Sequence, residues 1–138
     1  MKIKEWLYPN TYGLRIDFSL LVLRLVFGGL MLSHGIPKLS NVLEGNLEFG
    51  NPIGIGTELT LFSAVFAEFL CSILIILGLL TRFAAIPLIL TMAVAAFIVL
   101  ADDPLKVKEV ALLYLTGFYI LYLTGPGNYS LDAKIFKP

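Results

Sequence analysis

His34, Lys38, Glu68 and Glu109 are ionisable side chains placed within, or at the edges of, long apolar runs of a 138-residue chain. A charge in hydrocarbon costs at least ~2.5–3.5 kcal/mol, so such residues need partners and mark ligand, proton or ion paths. An imidazole gives or takes a proton near neutral pH, a carboxylate accepts one, and an ammonium donates hydrogen bonds to a carbonyl or anionic oxygen. Brought together, these four would form a ligand-binding set able to hold a small polar head group, with no catalytic set assigned. Cys71 and His34 are each the only residue of their type. No internal disulfide, Cys-built metal site, multi-histidine zinc site or bis-histidine haem can therefore form, and no metal or intrinsic cofactor is expected.

The elements that position these residues follow from composition. Hydrophobic residues make up 58% of the chain and charged residues 14%, against about 45–50% and about 25% in soluble domains. A soluble protein this small could not bury so much apolar surface. Ten basic residues balance ten acidic ones, and without a basic run nucleic acid is excluded as a partner. The lipid bilayer is the partner that remains.

Four apolar stretches, about 18–38, 58–80, 83–101 and 107–124, each approach the ~20 residues that cross ~30 Å of hydrocarbon. Backbone groups in lipid must pair within their own segment, so each stretch is predicted to be a helix. The fold class expected is all-α: one polytopic membrane domain over 1–138, a four-transmembrane-helix bundle with a 39–57 loop. That loop carries Glu44, Glu48 and several turn-forming glycines and is long enough to cover the bundle as a short lid or an interfacial helix. The tight Thr81-Arg82 connection makes its two helices antiparallel neighbours. Trp6, Tyr8 and Tyr12 beside Lys2 and Lys4 read as an interfacial anchor. Lys2, Lys4, Arg15, Arg82, Lys134 and Lys137 fall on the side of the termini, and Lys38, Lys106 and Lys108 on the other. This imbalance places both termini in the cytoplasm.

Helical spacing puts Arg24, Gly28, Met31, His34, Gly35 and Lys38 on one stripe of the first span. At ~1.5 Å per residue, Arg24 lies ~9 Å and His34 ~24 Å from the inner boundary, and Glu68 lies ~15 Å below the outer one. His34, Lys38 and Glu109 would form an outer group with Glu68 between it and Arg24, and a ligand pocket beneath the loop would gather His34, Lys38, Glu68 and Glu109. Arg24, Asp132 and Arg82 are expected to form structural ion pairs at the inner end, with Asp132 or Glu68 holding Arg24. An ion-pair network that only fixes helix register is the competing reading of all these charges. Tyr114, Phe118 and Tyr122 form a lipid-facing or packing stripe. Gly125-Pro126-Gly127 stops the last span, and Ser130 can cap a short helix beyond it.

The chain resembles the DoxX family of small four-helix membrane proteins. The resemblance is carried by Leu23-Arg24-Leu25-Val26-Phe27-Gly28-Gly29, by His34-Gly35-Ile36-Pro37-Lys38-Leu39, by Glu68, and by Leu77-Gly78-Leu79-Leu80-Thr81-Arg82-Phe83. Met92, Glu109-Val110-Ala111-Leu112-Leu113-Tyr114-Leu115 and the 125–132 segment continue it. Where many relatives have a histidine near the end of the third span, this chain has Leu100-Ala101-Asp102-Asp103-Pro104. The resemblance implies a multi-pass protein of the bacterial or archaeal inner membrane, associated with quinone-dependent or stress-protective oxidoreductase complexes. Its possible partners are oxidoreductase proteins or a second copy of the chain. Two functions follow: a redox-associated subunit holding a quinone or similar lipid, or a non-enzymatic scaffold, assembly factor or small carrier.

Overall fold

The computed structural model describes residues 3–7 and 12–137. Lys2, counted above for orientation, and Tyr8, read as part of the anchor, lie outside the described residues. The helices are α1 (Ile3–Leu7), α2 (Leu14–Leu43), α3 (Thr57–Leu77), α4 (Thr81–Val99), α5 (Leu105–Thr124) and α6 (Leu131–Phe136). Four of these, α2 to α5, are long and apolar enough to cross a membrane, and no strand occurs among the described residues. The chain is an all-α, four-helix membrane protein.

α2 has 30 residues, which at ~1.5 Å each is ~45 Å and exceeds the ~30 Å hydrocarbon span. It therefore begins before and ends after the 18–38 reading, continuing into the polar zones where hydropathy carries no signal. α3 ends earlier than residue 80. Gly78 takes a left-handed φ of 68°, donating to the Ile75 carbonyl while Leu79 donates to Leu74. That paired pattern closes a helix at glycine. A Cβ on Gly78 would also sit 2.5 Å from Ser130 Cβ.

α3 and α4 each carry one π-helical turn, at Phe66–Cys71 and Ala95–Val99. π-turns are rare and gather at functional sites. The core is built from Met31 of α2, Cys71 and Ile75 of α3, Ala85, Leu88 and Met92 of α4, and Phe118 and Leu121 of α5. Gly35 admits α3 to close range, for a Cβ there would overlap the Glu68 backbone. The aromatic stripe of α5 proves to be packing surface. Phe27 meets Tyr114 and Phe118 edge-on, and Tyr114 stacks on Phe118 at 6.0 Å.

The segment after α5 folds back into the bundle end. Ser130 Oγ accepts from the Ala133 N–H and caps α6. The Asp132 carboxylate, fully buried, accepts from the Leu80 and Thr81 N–H groups and so caps α4. The buried Asp17 carboxylate accepts from the Asn128 backbone N–H and Nδ2. Trp6 of α1 lies edge-on to Phe83 and Tyr122 and beneath Arg82, so it is tied to the bundle.

Candidate functional site

Lys38, near the C-terminal end of α2, extends to Glu68 on the π-turn of α3. Lys38 Nζ donates to Glu68 Oε2 at 2.5 Å, the one salt bridge among the described residues. The Glu68 side chain is 4% exposed and that of Lys38 26%. Two local features bring them together. Lys38 lies three residues from Gly35, whose missing side chain lets α3 approach closely. The π-turn re-aims the side chains of α3 by adding a residue to one turn. Lys38 therefore pairs with a carboxylate of the neighbouring helix.

The pair lines a cavity of about 660 Å³ between α3 and α4, within the ~300–1,000 Å³ range of small-ligand sites. Phe49, Pro52, Ile53 and Ile55 of the 44–56 connection roof it. Lys38 Nζ stands 5.6 Å from the Phe49 ring centre, so the loop serves as the expected lid without becoming helical. Both π-turns contribute walls, through Phe66, Ala67 and Glu68 on one side and Ala95 and Val99 on the other. Phe62, Phe66, Leu90 and Val99 line the cavity and are themselves exposed on spanning helices. The cavity thus opens sideways toward hydrocarbon. Thr91 and Thr60 add little polarity, because each hydroxyl already donates to a carbonyl of its own chain, Pro87 and Gly56 respectively.

The other two members of the expected set lie elsewhere. His34 is exposed on α2, its ring edge-on to Tyr114 at 5.8 Å, facing α5 and not the cavity. Glu109 is exposed on the outer face of α5, where it lines a shallow groove with Lys106 and Thr116. The structure joins Lys38 to Glu68 alone. Sequence reasoning missed Phe49 and the α4 wall. The one available signal was an aromatic residue within a glycine-rich loop, and nothing in the composition of α4 marks a cavity wall.

The inner-end ion pairs require correction. Arg24 is 2% exposed, but its guanidinium donates to four backbone carbonyls and not to a carboxylate. Nε reaches Ile75 at 3.0 Å, Nη2 reaches Ile76 at 3.0 Å, and Nη1 reaches Pro126 at 2.9 Å and Tyr129 at 2.7 Å. The physical reason is that the last carbonyls of a helix have no intrahelical partner, and a five-donor fork satisfies several at once. Asp132 spends its oxygens on the start of α4, and Glu68 spends one on Lys38. Arg82 likewise donates to the Leu123 carbonyl at 2.8 Å and lies over Trp6, with no carboxylate partner among the described residues.

Comparison with known proteins gives a consistent picture. The family model described as DoxX matches residues 19–101, which include α3, α4, Lys38 and Glu68. The chain is 31% identical to the uncharacterized membrane protein Rv3486 of Mycobacterium tuberculosis, over 86% of this chain and 82% of that one. It is 34% identical to an uncharacterized protein of Haemophilus influenzae, over 87% of this chain and 92% of the relative. No solved structure matches.

Proposed function

This chain belongs to the DoxX family, and from that premise we propose that it is a redox-associated membrane subunit holding a quinone, or a lipid of similar shape, in the cavity between α3 and α4. One observation carries the reading: a part-buried Lys38–Glu68 pair stands at the wall of a 660 Å³ apolar cavity that opens onto hydrocarbon. An apolar chamber with a few convergent polar groups suits an amphiphile, with its head at the ion pair and its tail among Phe66, Leu90 and Val99. Lys38 donates to a head-group oxygen, and Glu68 orients the ammonium. Electrons reach such a head group from an oxidoreductase partner docked on the bundle.

The membrane is the bacterial or archaeal inner membrane, with both termini in the cytoplasm. Lys4, Arg15, Lys134 and Lys137 are exposed on the terminal side, while Lys106 is exposed on the other, and the positive-inside preference then sets the orientation. The scaffold reading has its own support at the opposite end of the bundle. Arg24, bonded only to backbone carbonyls, is structural.

Mass spectrometry of the lipids that copurify with the protein tests the proposal. Quinone near one molecule per chain is expected for the parent protein, falling to bilayer background in a folded Lys38→Met variant. Equal quinone content in both, or none above background in either, overturns it.

A further inference from the structure

We propose that the Lys38–Glu68 pair selects the reduced, hydroxyl-bearing form of the head group (the quinol) over the oxidised diketone. This rests on the quinone-binding reading above and adds to it a preference between redox forms. Lys38 occupies Glu68 Oε2, while Oε1 has no protein partner among the described residues. Oε1 is nevertheless not one of the sealed, unpartnered polar atoms, which are Ser72 Oγ, Thr81 Oγ1 and Arg82 Nε. It therefore keeps open space beside it, and Glu68 lines the cavity.

The site thus presents an unused carboxylate oxygen, an acceptor only, next to an ammonium, a donor only. The two groups lie 2.5 Å apart, close enough for both to reach a single ligand oxygen. A hydroxyl satisfies both at once, accepting from Lys38 Nζ and donating to Glu68 Oε1. A carbonyl can accept from Lys38 but has no proton to give, and it brings a second lone-pair atom against a buried carboxylate. Hydrogen bonds to charged groups are the stronger kind, and a site built to accept from a hydroxyl discriminates against the analogue that lacks it. Thr60, Ser63 and Thr91 hydroxyls could have served as neutral donors to a carbonyl, but each is turned onto the backbone carbonyl four residues before it. The polar lining that faces the ligand is then the ion pair.

The test uses the full chain in lipid nanodiscs under anaerobic conditions. Binding of a decyl-tailed benzoquinol and of the matching benzoquinone is measured, with empty discs as the partition control. The parent is expected to hold the quinol about tenfold tighter or more, as one hydrogen bond to a charged group implies. Glu68→Gln keeps the shape but removes the charge of the acceptor, and should narrow that ratio to less than about threefold. Lys38→Met should weaken both forms together, since either oxygen accepts from Nζ. Circular dichroism and gel filtration establish that each variant is folded. Equal binding of the two forms by the parent, tighter binding of the quinone, or a ratio that survives in Glu68→Gln overturns the selection while leaving quinone binding in place. Absence of binding by either form refutes quinone binding itself.

Discussion

Replacing Arg24 with alanine should unfasten the inner end of the bundle. The guanidinium, 2% exposed, donates four hydrogen bonds, two to the end of α3 and two to the 125–130 loop. Bonds from a charged donor contribute ~1.5–3 kcal/mol each, so simple addition gives ~6–12 kcal/mol. The several kcal/mol spent on desolvating the cation offset much of that. The Ile75 carbonyl also keeps its bond from Gly78, whereas Ile76, Pro126 and Tyr129 have no other donor among the described residues. Three stranded carbonyls at ~1–3 kcal/mol each, set against the desolvation of the removed cation, lead to a net loss of about 3–5 kcal/mol. Arg24→Lys should recover only a minor part, because a single ammonium cannot span both groups of acceptors. Thermal unfolding in mild detergent, followed by the fluorescence of the only tryptophan, Trp6, measures the change. Limited trypsin digestion at Lys134 reports release of the terminal segment. An Arg24→Ala protein with the parent melting temperature and the parent digestion pattern would refute the reasoning.

Gly35→Ala should destabilise the fold by about 1–3 kcal/mol or prevent its assembly, because the new methyl meets the Glu68 backbone, which cannot step aside. At Gly117 the three atoms nearest a new methyl all belong to the Phe27 ring, a side chain and not backbone, so Gly117→Ala should cost clearly less in the same unfolding assay. Asp132→Ala leaves the Leu80 and Thr81 N–H groups unpaired and should cost about 2–4 kcal/mol, with Asp132→Asn intermediate. In a Cys71→Ala background, a cysteine introduced as Glu48→Cys should react with an impermeant maleimide from outside intact cells and not from the cytoplasm. The reverse pattern would invert the orientation.

Hydropathy made the four spans legible because a bilayer demands about twenty apolar residues whatever the packing. It misplaced their ends for identifiable reasons. Leu79 and Leu80 are as apolar as the helix before them, but Gly78 has already turned the chain left-handed. At the other extreme, α2 runs on past Lys38 to Leu43 because a helix can continue beyond the hydrocarbon edge. Depth arithmetic set Lys38 level with Glu109 and left Glu68 nearer mid-membrane, yet the structure pairs Lys38 with Glu68. The same arithmetic failed for His34, since only one helical position separates it from Gly35. That single step of about 100° carries the ring from the α3 interface to the α5 side. Arg24 was legible as a buried cation but not as a carbonyl clamp. A sequence prints its carboxylates, whereas the unpaired carbonyls at a helix end appear only once the helix end is known. The cavity was invisible, because it arises from two π-turns and a folded loop, none of which has a composition of its own.

Photo-crosslinking with an azido-benzoquinone on the full chain in native membranes tests the site assignment most directly. Adducts should map to peptides bearing Phe49 to Glu68 and Pro87 to Val99. They should fall away when excess unlabelled quinol competes, and be lost in folded Lys38→Met protein. Adducts confined to the exposed faces of α2 and α5, unaffected by competition, would contradict the account and leave the cavity without a quinone.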